Sequence, residues 1–296
     1  MHTPQLNSYL RTAANITFFA LLTINHSDSQ ASTVIFEDHF EQADTNIAAE
    51  IASPSQRGSG QNQSAIKYLF RGNIAINSDG STTHNALRIA NHALDFSAGL
   101  KTNKNQQVKA PDTNGNSSPG PFIRDLAFID NTSGSEFNWA PLLGNHYEIS
   151  FQMQATFNAP LAFSISDVVT PGRYNPHMQK VYDFGLSNWA KNWVMGSDGN
   201  YTSKDAVAGA QPAKTYILRI VIDERAAVPT AQVYVNEVLI KTLAINFEKT
   251  ARYFQFNARD GYGGTLDALI IKRLAPHASA TGQSTHTPIV QKQPLN

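Results

Sequence analysis

The chain has 296 residues, and its 23 Lys plus Arg balance 23 Asp plus Glu, so it carries no formal net charge at neutral pH. That balance leaves no broad positive field for a nucleic-acid backbone and no acidic surplus for a basic partner. Cysteine is absent, which excludes a disulfide framework, a thiolate zinc site and a Cys nucleophile, and charged residues are only 16% of the chain; the plentiful hydroxyl and amide side chains suit a surface that meets neutral ligands such as sugars.

At the N-terminus, Arg11 is the only Lys or Arg before the apolar run Ile16 to Ile24 (ITFFALLTI), which gives way to polar residues and then Ser29-Gln30-Ala31. The run is too short to span a bilayer, and the small-x-small triplet suits signal peptidase, so residues 1–31 are expected to be a signal peptide cleaved after Ala31. The competing reading is a buried N-terminal strand or helix. With export, the mature protein is secreted, extracellular or periplasmic, and no later stretch is apolar enough to anchor it in a membrane.

From Thr33 the sequence turns to short apolar or alternating runs separated by Gly, Asn, Asp and Pro. In HYEISFQMQATF, His146 to Phe157, the residues Tyr147, Ile149, Phe151, Met153, Ala155 and Phe157 share one face, which predicts a half-buried strand. Further strands are expected over 34–40, 86–93, 122–128, 161–166, 181–186, 216–223, 231–235, 238–243, 253–257 and 266–273. AQVYVNEVLIKTL reads as a hairpin turning at Asn236-Glu237, because Asn accepts the positive φ of a two-residue turn. No segment carries a helical apolar stripe of ten residues, so crossover helices and a parallel sheet are not expected. Antiparallel strands that each bury one face pair as two sheets, which predicts an all-β, two-sheet jelly-roll sandwich over residues 32–274. Lys101 to Gly120 reads as a structureless polar loop, and 275–296 as a disordered tail rich in Ser, Thr, Gln and Pro.

The last third, AKTYILRIVIDERAAVPTAQVYVNEVLI followed by ARYFQFNARDGYGGTLDALIIKRL, resembles the closing strands of the concanavalin A-like lectin and glucanase superfamily, especially the laminin-G-like (LamG-like) domains of secreted bacterial proteins. The opening VIFEDHFEQAD resembles that family's first strand. The resemblance implies the sandwich fold and a carbohydrate-related role, in a superfamily that includes lectins, glycoside hydrolases and polysaccharide lyases; fold alone does not choose among them. The Glu-x-Asp-x-x-Glu strand of the glycosidase branch, which places two carboxylates about one glycosidic bond, has no match in this sequence. The Arg-rich, Gln-x-His and Tyr motifs of the alginate-lyase branch have no counterpart either. The resemblance also implies a structural Ca²⁺ where first and last strands meet, with Glu37 or Asp38 and Asp267 in the resembling positions.

The richest candidate binding stretch is residues 172 to 201. PGRYNPHMQK places Arg173, Tyr174 and His177 in a Pro- and Gly-punctuated loop, YDFGLSNWAKNWVMG adds Trp189 and Trp193, and Tyr201 follows. Tyr182, Phe184 and Leu186 alternate as core residues, and Trp189 has the opposite parity, pointing away from the core if the strand runs straight. The two indoles are either rings for a sugar to stack on or a satellite cluster packed under the loop. Tyr174, His177 and Arg173 are the residue types that proton abstraction beside a uronate carboxylate requires, and so are candidate catalytic residues. Among the histidines, His39, His84, His92 and His146 show no metal-ligand spacing and read as surface or hydrogen-bonded groups. On the strand starting at His146, Gln152 and Gln154 share the polar face, where with Arg219 they either line a concave sheet or form a solvated face.

The leading expectation is therefore a secreted polysaccharide-binding jelly-roll protein. A lyase or hydrolase on the same scaffold is the alternative, and a surface module with both tryptophans buried is the third reading.

Overall fold

The computed structural model describes residues 32–41, 45–47, 51–52, 65–72, 74–76, 78–79, 81–84, 87–96, 107–109, 118–119, 123–154, 161–169, 183–189, 191–197, 207–259 and 264–275. The chain divides into two units, Met1–Gln30 and Ala31–Asn296. The first unit, which holds the apolar run of the expected signal peptide, and the tail beyond residue 275 lie outside the described residues.

In chain order the structure begins with β1 (Thr33–Asp38), β2 (Thr45–Ile47), β3 (Ile51–Ala52), β4 (Ile66–Gly72), β5 (Ile74–Ile76), β6 (Thr82–His84), β7 (Leu87–Ala90) and β8 (Ala93–Asp95). It continues through β9 (Gln107–Lys109), β10 (Ser118–Pro119), β11 (Ile123–Asp130), the one-turn helix α1 (Ala140–Leu143), β12 (His146–Gln154), β13 (Leu161–Ser166), β14 (Phe184–Trp189) and β15 (Asn192–Ser197). The last strands are β16 (Val207–Ala208), β17 (Thr215–Asp223), β18 (Thr230–Val235), β19 (Val238–Ala244), β20 (Tyr253–Arg259) and β21 (Thr265–Arg273).

Among the described residues these strands form three antiparallel sheets. The first has the order β19-β18-β17-β12-β21-β8-β7-β2, with β1 also paired to β21; the second has the order β16-β15-β14-β13-β20-β11-β4-β3; the small third sheet is β10-β9-β5-β6. The first two pack face to face as the jelly-roll sandwich expected from the sequence. Alternation decides which side chains enter the space between them: Tyr147, Ile149, Phe151 and Met153 of β12 are buried while His146, Glu148, Ser150, Gln152 and Gln154 are only half-buried. Rings cross the interface, with Phe151 and Phe256 centred 5.2 Å apart, Phe36 and Phe128 5.7 Å apart, and Tyr147 and Phe254 6.4 Å apart. Each such ring removed from water contributes roughly 1.5–3 kcal/mol. Asp38 also joins the sheets: its carboxylate accepts the Tyr68 hydroxyl of β4 at 2.8 Å and the Phe40 amide at 2.8 Å.

The connection between β19 and β20 is fastened by polar contacts. Arg252, 6% exposed, donates from Nε and Nη2 to the two Glu224 carboxylate oxygens at 3.0 and 2.5 Å, and from Nη1 to the Lys249 and Ala251 carbonyls. Tyr147 donates its hydroxyl to Glu224 at 2.9 Å. Burial first, and then the Glu224 charge, push the Tyr147 phenol well above its ordinary value, so it stays protonated and able to donate.

The turn at Asn236-Glu237 forms as expected, with both residues at positive φ (48° and 64°) and Val235 paired to Val238. Three expectations need correction. The strand expected over 86–93 is broken by a turn at Asn91 and His92, both at positive φ, into β7 and β8. Within Lys101 to Gly120, expected to be structureless, β9 and β10 pair in the third sheet, so the backbone there finds ladder partners that polarity of side chain does not forbid. The strand expected over 181–186 continues to Trp189, and β4 and β15 were not anticipated.

Candidate functional site

The two sheets expose different chemistry on the faces that point away from the shared core. On the first sheet, Arg219 lies 3.1 Å from Glu237 and 3.6 Å from Glu148, with its guanidinium 3.7 Å from the centre of the Tyr234 ring, and Lys272 is 3.8 Å from Glu148. Gln152 and Gln154 lie half-buried on this face, and Gln154 donates to the Ala213 carbonyl. The charges on this half-buried face are mutually compensated.

The corresponding face of the second sheet is buried and, apart from Asp125, uncharged. In β13 the residues Leu161, Phe163 and Ile165 belong to the core, so alternation turns Ala162, Ser164 and Ser166 to the opposite face, and all six are buried. In β20 the core residues Phe254, Phe256 and Ala258 leave Gln255 and Asn257 on that opposite face; in β14, Phe184 and Leu186 leave Gly185 and Ser187; in β15, Trp193 and Met195 leave Val194 and Gly196.

Strand register assembles these positions into two rows. Asp125, Asn257, Ala162, Ser187 and Val194 are successive cross-strand partners on β11, β20, β13, β14 and β15. Gln255, Ser164, Gly185 and Gly196 form a parallel row on β20, β13, β14 and β15. Among the described residues, the Ser164 hydroxyl and the Asn257 amide nitrogen have no hydrogen-bond partner, although their residues are only 1% and 2% exposed. A buried polar group left without a bond costs about 1–3 kcal/mol. Native folds rarely carry that cost without a reason such as function or a bound ligand.

The ends of β13 and β14 are held firmly. The Asp183 carboxylate accepts the Asp167 amide at 2.7 Å, and the Asp167 carboxylate accepts the Lys249 amide at 2.7 Å. The Leu161 amide donates to the Asn188 side-chain oxygen at 3.2 Å.

The residues singled out from the sequence fall as follows. Arg173, Tyr174 and His177 belong to the connection from β13 to β14, and Tyr201 to that from β15 to β16; all four lie outside the described residues. Trp189 is the last residue of β14, in register with Asn192. Trp193 is not in a loop: it sits in β15, 2% exposed, with its ring 4.9 Å from and nearly perpendicular to that of Tyr216. Expected as a possible stacking ring, it is a core residue whose faces are occupied by the protein.

The expected calcium pair does not assemble either. Asp38 is fully buried and both its oxygens accept bonds from Phe40 and Tyr68, whereas Asp267 is half-buried and accepts from the Ala268 amide at 2.6 Å. Among the described residues there is no group of three or more His, Cys, Asp or Glu side chains able to hold a metal ion. His39 and His92 pair with Glu37 and Glu41, as surface histidines commonly do.

Sequence reasoning missed Ser164, Asn257, Gln255 and Asp125. A signal was present in LAFSIS and YFQFNA, where every second residue between bulky apolar ones is small or an amide rather than charged. The outer face of the first sheet reads instead as Glu148, Arg219 and Lys272.

No protein-family model matches the chain, and no curated protein matches it. Among solved structures, the potassium-bound carbohydrate recognition domain of Emp46p is similar at 8% identity, over 64% of this chain and 85% of that one, with a TM-score of 0.41. The alginate lyase from Corynebacterium sp. is similar at 10% identity over 69% of this chain and 90% of that one, with a TM-score of 0.40. The endo-1,3-beta-glucanase from Streptomyces sioyaensis is similar at 12% identity over 83% and 97%, with a TM-score of 0.42. At these identities and scores the likeness says nothing about this chain's ligand.

Proposed function

We propose that this is a carbohydrate-binding protein that receives a polysaccharide on the outer face of its second sheet. The observation that carries the reading is the pair of buried polar groups, Ser164 Oγ and Asn257 Nδ2, without partners among the described residues, beside Ala162, Gly185, Gln255 and Asp125 on the face away from the core. A sugar hydroxyl donates and accepts at once, so it complements both a serine hydroxyl and an amide N–H without bringing a charge into a buried site. The connection that bears Arg173, Tyr174 and His177 joins β13 to β14, two strands of the row, and in this reading those residues and Trp189 add contacts to the ligand. The reading includes export directed by residues 1–31.

The catalytic alternative finds less support. Hydrolysis of a glycosidic bond uses two carboxyl groups on opposite sides of the sugar, and Asp125 is the only carboxylate in the two rows. Lyase chemistry would fall to Tyr174, His177 and Arg173.

A glycan array probed with the mature protein tests the proposal. Binding to one or more polysaccharides, lost in a folded variant carrying Ser164→Ala and Asn257→Ala, is the expected result; a blank array from folded protein would end it.

A further inference from the structure

The first described strand closes on the last. β1 begins at Thr33, so Ser32 alone separates its ladder from the bond after Ala31. It pairs with β21 from Thr33 opposite Arg273 to Asp38 opposite Leu269, and among the described residues β21 is its only ladder partner. Buried N–H and C=O groups need partners, so β1 has no place in the sheet until the C-terminal strand is made. A chain exported N-terminus first therefore presents the bond after Ala31 before β1 can dock.

Once docked, β1 is held along its length. Ile35 and Phe36 are both buried where its register with β21 shifts. The Phe36 ring meets those of Tyr68, Phe128 and Trp139, with centres 6.1, 5.7 and 5.7 Å away. Asp38 then ties the strand to Tyr68 of β4. A peptidase takes its substrate as an extended strand with residues on both sides of the cut, and here the residues after Ser32 are already engaged with β21. Cutting the folded chain requires β1 to leave the sheet first, which breaks its ladder and withdraws Phe36 from three rings.

Resting on the reading that residues 1–31 direct export, we infer that β1 is a maturation latch. The bond after Ala31 is cut only while β1 is undocked, and pairing of β1 with β21 closes that bond to signal peptidase.

The test uses the whole chain, residues 1–296, with purified signal peptidase in detergent micelles, and mass spectrometry reads release of the Ser32 N-terminus. Three forms are compared: the wild type, a variant with about ten Gly and Ser residues inserted after Ser32, and Phe36→Asp, whose charge keeps β1 out of the core. The first two are assayed after cooperative melting has shown that they are folded. Cleavage of the wild type should be at least about tenfold slower than that of Phe36→Asp, and the insertion should bring the folded chain to within about twofold of Phe36→Asp. Equal rates for wild type and Phe36→Asp, or an insertion variant as resistant as the wild type, overturn the inference and leave the export reading standing. If Phe36→Asp is not cut either, residues 1–31 are not a signal peptide, and both fall.

Discussion

Asn257 of β20 and Asp125 of β11 stand directly opposite each other, both buried, on the face of the second sheet that turns away from the core. The packing of the two sheets on each other needs apolar side chains only between them, so it does not itself account for these buried polar side chains.

The Ser164 hydroxyl gives a stability prediction with a sign opposite to the usual one. It is buried without a bond, so Ser164→Ala should raise unfolding free energy by up to about 1 kcal/mol while weakening polysaccharide binding. Denaturant unfolding with unchanged m-value checks the first part. A loss of more than about 1 kcal/mol would mean that the hydroxyl makes a structural hydrogen bond.

The two neighbouring tryptophans should separate cleanly. Trp193 is enclosed against Tyr216, so Trp193→Ala should destabilise the fold by about 3–5 kcal/mol. Under the proposed reading, Trp189→Ala reduces polysaccharide affinity. Parallel melting and pull-down measurements on both variants decide the assignment, and equal loss of stability in both would remove Trp189 from the ligand contacts.

Arg252 and Glu224 form a buried ion pair with Tyr147 bonded to it. Glu224→Ala leaves the guanidinium buried without its counter-charge and should cost about 3–5 kcal/mol. Replacing both residues with apolar side chains should recover part of that loss, because the desolvation penalty disappears with the charges. A double-mutant cycle by chemical denaturation measures the coupling.

Two aspartates should leave opposite marks on the pH dependence of stability. The Arg225 side chain, hydrogen-bonded to Asp223, holds that carboxyl down to about 2. Its contribution is present above the ordinary carboxylate range and is lost as pH falls toward about 2, so Asp223→Asn should flatten the acid limb there. Asp267 is raised, chiefly by burial and also by Glu41, so its charged form is disfavoured in the folded state. Asp267→Asn should therefore stabilise the protein at neutral pH, and the gain should vanish as acid protonates the wild-type carboxyl. Unfolding midpoints from pH 2 to pH 7 test both signs.

Much of the scaffold was legible because half-buried strands announce themselves by period two. The run from His146 to Gln154, the strand at Leu161–Ser166 and the Asn236-Glu237 hairpin all emerge from alternation or turn chemistry. β4 carried the same signal, with Ile66, Tyr68 and Phe70 inward, but went unread. β15 carried no such signal. Its residues Trp193 to Gly196 are buried on both faces, so alternation is erased and the Trp looks like part of a loop. The candidate site was hidden for a related reason: Ser164 and Asn257 are unremarkable one at a time, and only the register of β13 with β20 brings them together. Asp38 and Asp267 illustrate the converse, since residues on adjacent paired strands need not share a face.

The most direct test is co-sedimentation of the mature protein with a panel of insoluble polysaccharides, wild type beside the Ser164→Ala/Asn257→Ala variant, after both have shown the same cooperative melting. Depletion of the wild type by at least one polysaccharide, with the variant left in solution, is the predicted result. Equal depletion of both proteins would contradict the placement of the ligand on the second sheet.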